Sequence, residues 1–407
     1  MLNRADFTAP SMPGVLDQDG RAGSRPTVAL FGEWNTANLG DSAIRRGAVR
    51  FFEECGWHVR CYAIGTLVPV EPGAGTQRID APRRARLLDH RIKRGLRGLR
   101  QQLRMAQLLP RLAAAQAISV GGGALLADEN LHFPQSLVQI ARCARRLGKP
   151  LYCLGCSSEG DWSAKGTAMV REFVSACRLI AVRDEATASR LATELGTRPP
   201  VFGDFCLNER PLPELQATRL AERPMPAVNA SQLPARWSAA QPAYEDALVR
   251  VAHYLARTTA PAGGIRIFTT GTAEDAIVAW RVHSRLQDCG AQLHLPHDLA
   301  HLLALLRASS VVVASRLHGA ILALAQDVPV VGYSPAPKLR NFLSTLGLAH
   351  YCFAPGADPD LERWFADASY SRFCAEQRRA LARARVWPAR AHVRDTLAAL
   401  AREVACG

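Results

Sequence analysis

The ten residues Val313-Ala-Ser-Arg-Leu-His-Gly-Ala-Ile-Leu322 stand where a buried strand is expected to lead into a buried helix. Arg316 and His318 nevertheless occur here, in the most apolar part of the chain, with one leucine between them. In a sheet of parallel strands, ligands bind beyond the carboxyl ends of the strands, where loops lead into helix N-termini. The stretch therefore predicts a strand that ends at Ser315, followed by a helix N-terminus that forms an anion site with the guanidinium of Arg316.

The same residue types also allow a purely structural interpretation. Arg316 can pair with a carboxylate, and His318 can be a core residue whose ring is hydrogen-bonded to its surroundings. The residue types of this stretch do not decide between the two interpretations.

Strands and helices alternate along the chain from Thr27 onward. The predicted strands are TVALFG, HVRCYAIG, AISVGGGALL, PLYCLGC and LIAV in the first half, and IRIFTT, AQLHLP, SVVVAS and PVVGYS in the second. This alternation is typical of parallel, doubly wound sheets, and six prolines from Asn208 to Pro242 separate the two halves. We therefore expect an α/β protein with two Rossmann-like domains and a cleft between them. The expected parts are a flexible leader (1–26), a first domain (27–215), a second domain (216–360) and a helical tail (361–407).

The composition restricts the class of partner. The 407 residues suit two domains, and the formal net charge of +14 favours anionic partners, such as phosphorylated substrates or an acidic membrane surface. Aromatic residues make up only 7% and are not interleaved with the basic ones, so no nucleic acid partner is expected. The 11 cysteines are scattered singly, which is typical of thiols in a reducing compartment. No membrane span or signal peptide is evident, and a cytoplasmic location is expected.

Three further turns after predicted strands are small or polar. They are Gly32–Asp41 (GEWNTANLGD), the run Gly121-Gly122-Gly123, and Arg183-Asp184. Asp41 is placed to cap the helix that follows it, and the glycine run removes side chains from a strand end, where a ligand could approach the backbone. The P-loop and dinucleotide-binding glycine motifs are absent from the sequence, so the turns together predict a cleft rather than a known nucleotide site.

Five motifs, in this order, resemble the polysaccharide pyruvyl transferase family: NTANLGDSAI, ISVGGGALL, AVRDEAT, GDFCL and ASRLHGAILALAQDVPVVGYSPAPKLRNFL. The resemblance covers residues 27–345, and the R-L-H segment with its flanks is its specific part. It implies a GT-B-like fold, phosphoenolpyruvate as donor, and a sugar of an exopolysaccharide or cell-surface glycan intermediate as acceptor. The implied product is a pyruvate ketal, formed with release of phosphate. The segment YCLGCSSEG departs from the G-Q-G-like turn that the family more often has, which affects the expected wall of the acceptor site.

The resemblance also implies roles for individual residues. A histidine suits the proton transfers of ketal formation, and arginines suit the carboxylate and phosphate of the donor. The expected catalytic residues are His318 and Arg316, and the donor is also expected to contact Arg183, Lys338 and Ser315. The acceptor side of the cleft is expected at Asn38, Gly40, Asp41, Gly121, Gly122 and Gly123. Neither a metal nor a cofactor besides the co-substrate phosphoenolpyruvate is expected.

Two other functions remain open from the sequence: a GT-B glycosyltransferase that uses a sugar nucleotide, and a non-catalytic glycan-binding protein. The basic segment Arg83–Arg104 has eight Arg and one Lys against one Asp, with an apolar residue every three or four positions. Such a helix fits an anionic membrane surface that carries a lipid-linked acceptor, or an ordinary domain helix with a solvated basic face. The first interpretation predicts peripheral association with the inner face of the membrane.

Overall fold

The computed structural model describes residues 25–34, 36–66, 68–70, 106, 109–128, 131–209, 225–258, 264–354 and 367–406. Three predictions concern segments outside these residues: almost all of the leader, the basic segment Arg83–Arg104, and the stretch 210–224 between the two halves. Within the described ranges, none of the helices combines the length and the apolar character needed to cross a membrane.

The first half of the chain folds around one sheet, in which β1 pairs in parallel with both β2 and β4. The described strands lie in the order β3-β2-β1-β4-β5-β6, and the short strand β3 pairs antiparallel with β2. The described elements of this first domain are β1 (Thr27–Gly32), α1 (Leu39–Glu54), β2 (His58–Ala63), β3 (Pro69–Val70), β4 (Ala117–Ala127), α2 (His132–Arg146), β5 (Leu151–Glu159), α3 (Ala164–Ala176), β6 (Leu179–Val182) and α4 (Glu185–Leu195).

The second half folds around a sheet in the order β12-β11-β10-β7-β8-β9, and its described pairings are parallel. The described elements of this second domain are β7 (Met225–Asn229), α5 (Gln241–Thr258), β8 (Ile265–Phe268), α6 (Ala273–Ser284), β9 (Ala291–His294), α7 (Leu299–Arg307), β10 (Ser309–Ala314), α8 (Leu317–Ala325), β11 (Val330–Tyr333), α9 (Pro337–Thr345) and β12 (Cys352–Phe353).

Each sheet has the strand order 3-2-1-4-5-6 when the strands of each half are numbered separately, which is the order of Rossmann folds. The order reverses between β1 and β4 in the first domain and between β7 and β10 in the second. Ligands bind beyond the carboxyl ends of the strands at such switch points. The prediction of two Rossmann-like domains is confirmed. A ligand site is therefore expected in the loops that follow the strands at these two switch points.

The strand β1 shows why the strands appear in the sequence as continuous apolar runs. Val28 and Leu30 belong to one layer of the core and Ala29 and Phe31 to the other, because successive side chains of a strand point to opposite faces. All four are fully buried, as expected for a parallel strand covered on both faces. The layer that contains Val28 and Leu30 is continuous with the core of the second domain, so the two domains are packed together.

Two C-terminal helices, α10 (Asp367–Arg385) and α11 (Pro388–Cys406), contact both domains. The buried side chain of Gln377 in α10 bonds to both the N–H and the carbonyl of Val330, each at 2.8 Å. The indole N–H of Trp57 in the first domain donates to the carbonyl of Leu397 in α11 at 2.9 Å. The break between the helices falls at Pro388, because proline is tolerated in the first helical turn but not inside a helix.

Candidate active site

The carboxyl ends of the two sheets meet at the start of α1. The backbone N–H of Leu39 donates to the carbonyl of Thr270, which follows β8, at 2.8 Å. The next residue, Gly40, lies against the imidazole of His318: a Cβ atom at position 40 would be 2.5 Å from Cγ of that ring. The turn after β1 and the R-L-H turn after β10 are therefore in direct contact, and each of them is at a switch point of its domain.

His318 lies in the first turn of α8 with only 9% of the residue exposed. Its Nε2 atom faces Oδ2 of Asp204 at 3.7 Å, an ion-pair distance rather than a hydrogen bond, and neither atom has a hydrogen-bond partner among the described residues. Burial acts to raise the pKa of Asp204, but His318 and Arg183 outweigh it and hold that pKa below the usual value. Asp204 is therefore a buried anion that can orient the imidazole through one nitrogen and leave the other for proton transfer.

Arg183 neutralises this buried carboxylate. Its Nη1 atom is 3.8 Å from Oδ2 of Asp204, and its Nε atom is 3.5 Å from Oδ2 of Asp184. Asp184 in turn caps α4 by accepting the backbone N–H of Thr187 at 2.9 Å. Arg183 is only 2% exposed, and its guanidinium faces Asp204. It therefore does not reach the open space in which a donor was expected to meet it.

Arg316 is the N-cap residue of α8, and Asp275 holds its guanidinium. Nε of Arg316 donates to Oδ2 of Asp275 at 3.0 Å, and Nη2 donates to Oδ1 at 2.6 Å. Asp275 is fully buried, whereas 37% of the Arg316 side chain is exposed. The structure thus shows the carboxylate pairing that the sequence left open. Nη1 makes no hydrogen bond to any described residue, so this nitrogen is the part of the guanidinium that a ligand can bind.

Asn229 and Ser315 hold the R-L-H turn against the end of β7. The hydroxyl of Ser315 donates to the carbonyl of Asn229, and the side-chain oxygen of Asn229 accepts the backbone N–H of Arg316 at 2.9 Å. A Cβ atom at Gly319 would lie 2.8 Å from that same side-chain oxygen, so the glycine after His318 leaves room for Asn229. Ser315 was expected to contact the donor, but its buried hydroxyl is engaged in positioning the turn.

An ion pair joins the two domains next to this contact. The ammonium of Lys338, in the first turn of α9, contacts a carboxylate oxygen of Glu159, the last residue of β5. The Lys338 side chain is 41% exposed, and its charge also acts on the carboxyl groups of Glu33 and Asp41. Lys338 therefore lies beside the site, but its ammonium already has an anionic partner.

Asn38 and Asp41 both belong to the start of α1, and Asn38 is the cap. Its side-chain oxygen accepts the N–H of Gly40 at 3.0 Å, whereas Asp41 lies in the first turn and accepts the hydroxyl of Thr36 at 2.5 Å. The prediction that Asp41 caps the helix is therefore wrong, because the helix begins earlier than expected and asparagine caps equally well. Desolvation raises the pKa of Asp41, although the charge of His318 opposes that shift.

The glycine run lies inside β4, not beyond its end. A Cβ atom at Gly121 would be 3.2 Å from the ring of Phe205, and one at Gly122 would overlap the side chain of Ile44. Both glycines are therefore buried and let neighbouring elements approach the sheet, instead of presenting open backbone to an acceptor. A Cβ atom at Gly123 would meet nothing within 4 Å, so this glycine has the open surroundings that were expected for all three.

The structure also groups three potential metal ligands, which the sequence did not suggest. One ligand atom each from Asp204, Cys206 and His318 lie within 4.8 Å of one another. Burial raises the pKa of the Cys206 thiol, which disfavours the thiolate that binds metals, and the Arg183 guanidinium already neutralises Asp204. This donor set therefore fits a metal ion poorly. A second group of ligand types lies in the second domain, at His253, Asp288 and Cys289.

The sequence does not assign a role to Asp204, Asp275 or Glu33. A sequence motif could have identified Asp204 as a functional residue, since it stands in the G-D turn of GDFCL. Glu33 had a weaker signal, as the first residue beyond β1. Asp275 lies in the first turn of α6, where acidic residues are common for reasons of helix stability alone.

The fold is similar to that of solved GT-B-type glycosyltransferases and epimerases. The Anabaena protein HepE, crystallised in complex with UDP, is 12% identical, with coverage of 92% of this chain and 100% of that one and a TM-score of 0.55. The UDP-GlcNAc 2-epimerase of Neisseria meningitidis is 8% identical, with coverage of 86% and 94% and a TM-score of 0.51. The glycosyltransferase SnogD of Streptomyces nogalater is 15% identical, with coverage of 93% and 99% and a TM-score of 0.50. At these identities the similarity shows the fold alone, and it confirms the predicted GT-B-like arrangement.

No curated protein sequence is significantly similar to the chain. A family profile described as "Polysaccharide pyruvyl transferase" matches residues 38–337, which is most of the chain. The match begins at Asn38 and includes Asp204, Arg316 and His318, so it covers the interdomain contact described above. The chain therefore belongs to the polysaccharide pyruvyl transferase family.

Proposed function

We propose that this protein transfers the pyruvyl group of phosphoenolpyruvate to a sugar of an exopolysaccharide or cell-surface glycan intermediate, as a ketal, with release of phosphate. The proposal rests on one observation above all: His318 of the R-L-H turn lies between Asp204 and Gly40, where the two switch points meet. A proton-transfer residue that is held by a buried carboxylate at the domain contact suits this reaction, and membership of the family supports it.

The first chemical step is protonation of the enol carbon of the donor. In this proposal His318 delivers the proton: Asp204 orients the ring through Nε2, and Nδ1, on the Gly40 side, faces the donor. Because the imidazole is almost fully buried, the donor reaches it only when the contact between Gly40 and His318 opens. Opening and closing of the two domains at the start of α1 is therefore part of the proposed cycle.

The donor carries a carboxylate and a phosphate, and two cations next to the site can bind them. Asp275 fixes the guanidinium of Arg316 through Nε and Nη2, which leaves Nη1 for one anionic group. Lys338 binds the other after it exchanges Glu159 for the donor. Arg183 acts indirectly in this scheme, because it stabilises the charge of Asp204.

The proposal for the acceptor adds a membrane surface. The basic segment Arg83–Arg104 lies outside the described residues, but its net positive charge favours the anionic inner face of a membrane, where a lipid-linked saccharide would be available. A cytoplasmic protein with peripheral membrane association is consistent with this scheme. The transfer chemistry does not depend on it, since the residues of the proposed site lie in the two domains.

The experiment that tests the transfer is an incubation of the protein with phosphoenolpyruvate and β-linked galactosides, mannosides or glucosides, with phosphate release and the ketal product as readouts. We expect phosphate release that depends on both substrates. The alternative, a glycosyltransferase, would release a nucleoside diphosphate from a sugar nucleotide, as the UDP bound to the Anabaena neighbour suggests at the level of fold. A glycan-binding protein would bind the saccharide without turnover of either donor.

Variants of His318 test its assigned role. His318→Asn should fold and bind phosphoenolpyruvate, but turnover should fall by about 10²- to 10⁴-fold, which is typical for loss of an acid–base group. His58→Asn is a matched control, because His58 is an exposed residue of β2. If His318→Asn is stable and retains the activity of the control, His318 only packs at the domain contact and the proposed mechanism is wrong.

A further inference from the structure

Glu33 is the first residue beyond β1, at the switch point of the first domain. Its side chain is exposed, and no hydrogen bond or ion pair joins its carboxylate to another described residue. The loop that it begins leads to Leu39 and Gly40, which contact the second domain through Thr270 and His318. Glu33 thus offers an unengaged carboxylate at the edge of the proposed catalytic site.

Charged groups of three other elements act electrostatically on this carboxylate. Desolvation by the surrounding protein raises the pKa of Glu33 to about 7, and the negative charges of Asp41 on α1 and Glu159 on β5 act in the same direction. Lys338 on α9 opposes them. Glu33 is thus an exposed residue whose pKa lies near neutral pH, and a carboxyl group of this kind suits general base catalysis.

We propose that Glu33 is the general base that takes the proton from the attacking hydroxyl of the saccharide acceptor. This inference rests on the proposed function and adds to it the residue that activates the acceptor. Glu33 and His318 then divide the proton transfers. The carboxylate lies at the carboxyl edge of the first sheet, and the imidazole at the edge of the second, so the acceptor and the donor meet between the domains.

Three protons move in the proposed transfer. His318 gives a proton to the methylene carbon of phosphoenolpyruvate, which becomes a methyl group, and the acceptor oxygen forms a bond to C2. The proton of that hydroxyl passes to Glu33. The bond from C2 to the phosphate oxygen then breaks, the second hydroxyl oxygen of the sugar bonds to C2, and its proton leaves with the phosphate. Glu33 returns its proton, and His318 regains one, through solvent.

The Glu33→Gln variant tests this assignment, since it keeps the shape of the side chain and removes the base. In the wild-type protein kcat should fall as the pH decreases through about 7, because protonated Glu33 cannot accept a proton. In Glu33→Gln, kcat should fall by about 10²- to 10³-fold and lose this pH dependence, without weaker binding of phosphoenolpyruvate. Glu53→Gln is the matched control: Glu53 is an exposed glutamate of α1, outside the proposed site, and its variant should keep the wild-type profile.

The pKa of Glu33 can also be measured directly, even in the absence of turnover. In a ¹³C-glutamate-labelled protein, the carboxyl resonance that disappears in Glu33→Gln should titrate near pH 7; titration near the ordinary value of about 4.3 would overturn the inference. If wild-type protein transfers pyruvyl groups and Glu33→Gln has the same kcat and pH profile, Glu33 is not the base, although the transfer stands. If none of the acceptors supports phosphate release from phosphoenolpyruvate, the proposed function fails instead.

Discussion

Gly40 is the residue at which a single methyl group should affect both the stability of the protein and the geometry of the site. A Cβ atom at this position would lie 2.5 Å from Cγ and 2.7 Å from Cβ of His318, whereas ordinary contacts begin at 3.4 Å. The gap is therefore short by about 1 Å. The ring cannot simply turn away, because Asp204 lies on the Nε2 side of it, so α1 and the R-L-H turn must move apart.

Two effects of Gly40→Ala oppose each other. Alanine favours a helix over glycine by at most about 1 kcal/mol, and less in the first turn, where Gly40 lies. Overpacking of a close contact costs about 1–3 kcal/mol. We therefore expect a net loss of about 1–2 kcal/mol in the free energy of unfolding, measured by urea denaturation. A displacement of about 1 Å at reacting groups can cost a factor of about 10² in rate. Turnover should therefore decrease by a larger factor than the loss of folded protein alone would cause.

A double-mutant cycle separates this contact from other effects of the substitution. In a His318→Gly background both the ring and the Cβ atom that lie against position 40 are absent, so Gly40→Ala should be neutral or slightly stabilising. The coupling free energy between the two positions should then be about 1–3 kcal/mol. If Gly40→Ala costs the same in both backgrounds, the contact between Gly40 and His318 does not join the two domains in the way described here.

Two further predictions concern the charges of the site. The pKa of Asp204 is lowered in the folded protein, so its carboxylate stabilises the fold above its unfolded pKa of about 3.9, and this contribution is lost as the pH falls toward the lower folded value. The stability difference between wild type and Asp204→Asn, measured by urea unfolding, should therefore shrink between pH 7 and pH 3; a constant difference would show that Asp204 acts only through packing. Glu159→Gln breaks the partly exposed pair with Lys338, so it should change stability by less than about 1 kcal/mol but increase the affinity for phosphoenolpyruvate severalfold, because Lys338 is released. An unchanged or weaker affinity in a binding titration would exclude Lys338 from the donor site.

The sequence alone was sufficient for features that depend on neighbouring residues. The alternation of apolar strands and amphipathic helices predicted two Rossmann-like domains, since the periodicity of an element is a local property. It also predicted that Arg316 and His318 occupy the turn after β10 and the first helical residues, and the structure has Arg316 as the N-cap of α8 and His318 in its first turn. The predicted start of α1 was wrong, because Asn38 and Asp41 are both good caps, and the position of the loop against Thr270 decides which of them caps the helix.

Only the tertiary structure decided what these residues contact. Asp275 pairs with Arg316, and Asp204 faces His318, although both carboxylates are distant in sequence from the R-L-H turn. The sequence likewise predicted an open strand end at the glycine run. In the structure Gly121 packs against Phe205 and Gly122 against Ile44, so both lie in the interior. Such contacts depend on how two sheets and their loops pack against each other, and no local pattern records that packing. The sequence therefore shows that Asp204, Arg316 and Lys338 are charged, but it does not show which residue each of them pairs with.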